Sequence, residues 1–227
     1  MFAAARGAGK VLVIEPRSWS VLRELPAGTR PNGLAWDSWR GRLLVADVED
    51  HRARIVDPRD AREVATTALP GRPRWCLYQR EADRYLVNIA EPALLAELRG
   101  ADGCLLNAIR VSAAGPHGLD VDPVTQRAFV VCDAGKLIVI NLRDGSEIHQ
   151  LEIAGPPDVV WFNPERRRLY VAIGDPGLVQ VIDVTRLRVV EEVTSEAGAH
   201  TTAFDIRRQR LYVFLPQRCA LAVYEEA

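Results

Sequence analysis

RPNGLAWD (30–37), RPRWCLYQ (72–79), GPHGLDVD (115–122), PPDVVWFN (156–163) and GAHTTAFD (198–205) are five versions of one segment, a short apolar strand that follows a proline or a small residue. Their third residues fall at 32, 74, 117, 158 and 200, so the steps are 42, 43, 41 and 42. A second apolar run follows each: RLLVAD (42–47), RYLVNI (84–89), AFVVCD (128–133), RLYVAI (168–173) and RLYVFL (210–215). A third comes next as ARIVD (53–57), ALLAEL (93–98), KLIVINL (136–142), LVQVIDV (178–184) and CALAVYE (219–225). REVATTAL (62–69), CLLNAIRV (104–111), EIHQLEI (147–153) and RVVEEV (188–193) supply a fourth. At the N-terminus, KVLVIEP (10–16) matches the third strand and SVLREL (20–25) the fourth.

Four short strands in about 42 residues is the period and strand count of a β-propeller blade. One such sheet cannot bury both faces, and stacking neighbours covers them. Asp102-Gly103 and Asp144-Gly145 stand between third and fourth strands, where the glycine supplies the positive φ of a tight hairpin. Glu91 to Leu98, EPALLAEL, reads locally as a helix with proline in its first turn. In register it overlays GKLIVINL, and because propensity is the weaker signal the expectation is a strand.

There are five first strands but six third-type strands. The fold class expected is an all-β β-propeller of four-stranded antiparallel blades, five- or six-bladed. Its closing blade is incomplete or completed by pairing of the termini. The domain expectation is a single propeller over 1–227, with repeats starting near 30, 72, 115, 156 and 198 and a partial blade at 10–29. A six-blade count leaves the opening blade without its first two strands.

The 227 residues fit one barrel or propeller. Hydrophobic residues are 48% and charged residues 26%, ordinary for a globular chain. A net charge of −1 and pI near 6.4 give no overall field for nucleic acid or an anionic membrane. The first ten residues lack a signal-peptide apolar core, and no run reaches the roughly 18 apolar residues of a span. The chain as written is therefore expected in the cytoplasm. Cys76, Cys104, Cys132 and Cys219 match no zinc spacing and are expected as free thiols packed like small hydrophobes.

The segments RLYVAIGDPGLVQVIDV (168–184), GPHGLDVDPVTQRAFVV (115–131) and GAHTTAFDIRRQRLYVF (198–214) resemble the YVTN-repeat family, the lactonase-like bacterial β-propellers. The first blade, RPNGLAWDSWRGRLLVADVEDHRARIVDP (30–58), is similar to NHL-type and gluconolactonase-type propellers. The likeness covers about residues 10–225. It implies the fold, with six or seven blades, so that an upstream start or a second subunit would fill the gap. For function it implies a range, from hydrolases and isomerase-like enzymes to binding scaffolds.

Inner-strand starts in a propeller point toward the mouth of the channel, which makes Asn32, Arg74, His117, Asp158 and His200 the candidate ligand-binding set. His117, Asp158 and His200 come from consecutive blades, and two imidazoles with one carboxylate match an open facial metal site. A divalent metal is the one cofactor this set admits. Gluconolactonase-type enzymes hold their cation with Glu, Asn and Asp. Asn32 and Asp158 could stand at two of those places, but no Glu occupies a blade start, and the two histidines depart from the pattern. No nucleophile elbow, zinc-protease helix or phosphate loop is present.

Second-strand ends give another set, Asp47, Asn88, Cys132, Ile173 and Leu215, followed by Glu49, Asp50, Asp133 and Asp175. Asp47 and His51 read as loop caps. Trp36 and Trp161 are expected between blades, and Trp39 at an exposed turn. Arg166, Arg167, Arg168, Arg207, Arg208 and Arg210 share one turn in adjacent blades and read as a solvated rim. Without an aromatic platform they do not indicate nucleic acid. The functional expectation is a non-enzymatic propeller that binds a small molecule or protein partner at the channel mouth. A metal-assisted lactonase-like hydrolase is the alternative, with the cation as Lewis acid and Asp158 or a histidine as base. A protein-interaction scaffold is the third reading.

Overall fold

The computed structural model describes residues 1–225. Six antiparallel sheets follow one another along the chain. Sheet one is β1 (Phe2–Ala5), β2 (Lys10–Ile14) and β3 (Val21–Pro26). Sheet two is β4 (Pro31–Asp37), β5 (Arg42–Asp47), β6 (Arg52–Asp57) and β7 (Arg62–Ala68). Sheet three is β8 (Pro73–Gln79), β9 (Arg84–Ile89), β10 (Leu94–Arg99) and β11 (Leu105–Arg110). Sheet four is β12 (Pro116–Asp122), β13 (Arg127–Cys132), β14 (Lys136–Asn141) and β15 (Glu147–Glu152). Sheet five is β16 (Pro157–Asn163), β17 (Arg168–Ile173), β18 (Leu178–Asp183) and β19 (Arg188–Thr194). Sheet six is β20 (Thr202–Asp205), β21 (Arg210–Leu215) and β22 (Ala220–Glu225). The fold class is all-β with six propeller blades, and the two terminal blades are three-stranded. No helix among the described residues is long and apolar enough to cross a membrane.

The chain divides into two compact units, Met1–Val111 and Ser112–Ala227. In the four four-stranded sheets the second and third strands are mostly buried while the fourth strands are mostly exposed. Sheets packed on both faces explain why the second strands read as unbroken apolar runs. Alternate residues serve opposite neighbours. In the first unit Leu43 and Val45 join Val11 and Leu25 of sheet one, while Leu44 and Ala46 join Tyr85 and Val87 of sheet three. In the second unit Leu169 and Val171 meet Phe129 and Val131, and Tyr170 meets Leu211 and Val213. Full burial of a Leu or Phe is worth about 1.5–3 kcal/mol, so these layers dominate the folding energy.

Turns after the first strands share one chemistry. Asp37, Asp122, Asn163 and Asp205 each accept backbone N–H groups two and three residues on through Oδ1. The turn closes on a positive-φ residue, which is Gly41, Asp83, Gln126, Arg167 or Gln209. Glycine would be the cheapest choice there. Three of the others reach back to the preceding sheet. Arg167 pairs with Asp122 at 2.7 Å, and Gln209 Oε1 accepts from Asn163 Nδ2 at 2.7 Å. Asp83 takes the Arg40 guanidinium in a fork at 2.7 Å on both arms. These three side chains clamp neighbouring blades, which accounts for a non-glycine residue at Asp83, Arg167 and Gln209.

Several expectations are refined. FAAA (2–5) forms β1, the second strand of the opening blade, pairing Phe2 with Val13, so the described residues supply three strands of that blade and not two. Of the 91–98 segment, 91–93 is a turn and the rest is strand, in β10 from Leu94 on, with no helix. Ile89, not Asn88, ends the second strand opposite Pro73. Cys76 and Cys132 are buried, but Cys104 and Cys219 are exposed, so only two thiols pack as hydrophobes. Among the rim arginines, Arg167 pairs with Asp122, Arg168 with Asp183, Arg208 with Asp205 and Arg210 with Glu225.

Candidate functional site

The inner strands begin with a bulge. In β12 the register jumps between Pro116 and Leu119 opposite Cys132 and Val130, and in β16 between Pro157 and Val160 opposite Ile173 and Val171. A bulge adds a residue and re-aims its side chain, and His117 and Asp158 are the residues so placed. Asn32 and Arg74 hold the same bulge position in β4 and β8 of the first unit.

In the second unit the structure brings His117, Asp158 and His200 together. His117 Nε2 lies 2.9 Å from Asp158 Oδ1, and His200 Nε2 lies 3.6 Å from Asp158 Oδ2. The other nitrogen of His117, Nδ1, lies 2.8 Å from Asp133 Oδ1. The result is a line of alternating acid and imidazole across sheets four, five and six: Asp133, His117, Asp158, His200. Asp133 was legible only as a polar residue after a second strand. The signal that finds it is ladder geometry, since its neighbour Cys132 pairs with Pro116, next to His117.

Three glycines make room for the line. At Gly118 a Cβ would lie 2.5 Å from the Asp158 carbonyl oxygen, so β12 and β16 approach there as no other residue allows. At Gly115, with φ of +69°, a Cβ would strike Asp133. The His200 ring lies over Gly174, where a Cβ would stand 3.2 Å from Nδ1.

A ring that donates from both nitrogens is an imidazolium, and the two carboxylates at His117 are arranged for that form. His117 is the most sheltered member, with its side chain 19% exposed, and His200 is half-exposed. The array therefore presents carboxylate and imidazole groups to solvent from a fixed base. Among the described residues no group of three His, Cys, Asp or Glu is spaced to hold a metal ion. A cation on His117, Asp158 and His200 would have to displace the His117–Asp158 hydrogen bond.

The loop-cap reading of Asp47 is matched by its contacts. Its carboxylate is buried and accepts N–H groups from Thr29, Arg30, Glu49 and Asp50. His51 sits at a positive-φ turn position. Trp161 donates to Thr202 Oγ1 at 3.0 Å, linking sheets five and six, and Trp36 packs on Phe2 of sheet one. Trp39 is exposed.

No family model matches the chain. Over 102 residues, 44% of this chain, it is 30% identical to "Uncharacterized protein YncE" of Salmonella typhimurium. The matched stretch is 28% of that relative, so the likeness spans less than a third of its length. Among solved structures the chain is similar to Kuenenia stuttgartiensis hydrazine synthase, with TM-score 0.70 and 12% identity over 100% of this chain and 92% of the other. It is also similar to a chain in the crystal structure of a mitotic checkpoint complex, with TM-score 0.85 and 11% identity over 97% and 69%. At such identities the likeness carries fold alone, and with the six sheets it places this chain among the β-propellers.

Proposed function

We propose that the chain is a non-catalytic binding propeller of the lactonase-like, YVTN-repeat kind. Its site is the line Asp133, His117, Asp158 and His200, and its ligand is a small hydroxyl-rich molecule. The observation that supports this most is Asp158 lying between two imidazoles from neighbouring sheets. Packing does not call for such convergence, because an apolar residue would fill each place without a desolvation cost. Hydroxyl groups can donate to the carboxylates and accept from an imidazolium, so an array of both suits vicinal hydroxyls.

A hydrolase is the second reading. It is favoured by the half-exposed His200 beside Asp158, an imidazole that a carboxylate can orient as a base. One experiment separates the two. The protein is titrated with glucono-1,5-lactone by calorimetry while acid release is followed. Binding predicts saturable heat that disappears in His200→Ala and Asp158→Asn, with acid release at the uncatalysed rate. Acid release that depends on Asp158 would establish hydrolysis instead. Absence of saturable heat would refute the hydroxyl-rich ligand.

A further inference from the structure

A second site is built between sheets five and six, away from the His–Asp line. Two rows of side chains face one another there in register. Tyr170, Val181 and Glu191 are cross-strand partners on β17, β18 and β19. Phe204, Leu211 and Tyr224 are partners on β20, β21 and β22. All six line a cavity of about 150 Å³. Among the described residues sheet six has three strands and sheet five has four, and Glu191 stands on the outermost strand of sheet five.

The aromatic walls are fixed. The Tyr170 hydroxyl accepts from Asn163 Nδ2 at 2.9 Å, and its ring meets Phe204 at 5.1 Å between centroids, tilted by 48°. Tyr224 donates to the Thr194 carbonyl at 3.4 Å. The charge is one-sided. Glu225, also on the wall, is answered by Arg210 at 2.6 Å, while Glu191 makes no ion pair among the described residues. The place of Glu191 in the other complete blades is held by Ala65, Asn107 and His149, so the acid is particular to this blade.

We propose that this cavity binds a quaternary ammonium group carried by a small soluble molecule. Aromatic faces attract a cation through their quadrupoles, most strongly when the cation is poorly hydrated, as a trimethylammonium head is. Its methyl groups match the apolar floor of Val181 and Leu211, and Glu191 supplies the counter-charge. A cavity of this volume holds a group about the size of benzene, which suits such a head.

The test is calorimetric titration of the full chain with choline and with 3,3-dimethylbutan-1-ol, its uncharged isostere. Choline should bind saturably at millimolar concentration, and the alcohol about ten-fold more weakly or worse. Glu191→Gln should weaken choline binding about five- to ten-fold and leave the alcohol unchanged. Glu191 lies on an exposed strand, so this variant does not threaten folding; Tyr224→Leu keeps an apolar wall and should also weaken choline. Co-sedimentation with phosphatidylcholine vesicles distinguishes a lipid headgroup from a free cation, and the protein should remain in the supernatant. Equal binding of choline and the alcohol, indifference to both substitutions, absence of saturable heat, or sedimentation with vesicles would overturn the proposal.

Discussion

Asp120 occupies the fifth position of β12, where the other complete inner strands carry Ala35, Leu77 and Trp161. It is an acid on an apolar seat. Its carboxylate accepts the Phe162 N–H at 2.6 Å and the Val121 N–H at 2.8 Å. Burial nonetheless outweighs these bonds and pushes the carboxyl up to about 6 from 3.8. A raised carboxyl favours the folded state when neutral. That contribution is complete below about pH 4 and is lost as pH rises through about 6. The difference corresponds to about 3 kcal/mol, less what the partly exposed position lets water recover. Asp120→Asn keeps the acceptor for Phe162 and cannot ionise. The variant should match the parent near pH 4 and exceed it near pH 8 by about 2–3 kcal/mol, or about 5–10 °C in Tm. Urea unfolding at both pH values measures it, with the slope m checked for constancy. Equal stability of the two proteins at the higher pH would refute the burial argument.

Arg40 bridges Asp37, whose side chain is wholly buried, and Asp83 of the next sheet. Arg40→Met should cost about 3 kcal/mol by leaving a buried carboxylate unanswered, and a loss below about 0.5 kcal/mol in urea unfolding would contradict that. Gly118→Ala should force β12 away from Asp158 and abolish ligand heat at the His–Asp line. Retained heat with unchanged affinity would show that the close approach is dispensable. Removing residues 1–26 strips sheet one from Leu43, Val45 and Val56, so it should lower Tm by well over about 5 °C through exposed apolar surface. An unchanged melting curve would sink that expectation.

The 41–43-residue period in the sequence was enough to establish the strands, their order and the blade architecture, because each unit needs the same alternation and the same turn. The same register predicted that His117, Asp158 and His200 share a level, and they meet. Propensity misled only locally: EPALLAEL has helix formers, but the ladder with β9 offers its apolar residues burial on both faces. FAAA carried no strand signal, since alanine is a poor strand former, and it is a strand through pairing with β2. Asp133 and the cavity at Glu191 were decided by tertiary structure alone. Each depends on which residues stand opposite across a ladder and on which sheet faces which. A chain read in one dimension specifies the period of its strands, whereas a site depends on distances of a few ångströms between strands tens of residues apart. Here the bulges at Pro116 and Pro157, together with Gly118, fixed those distances.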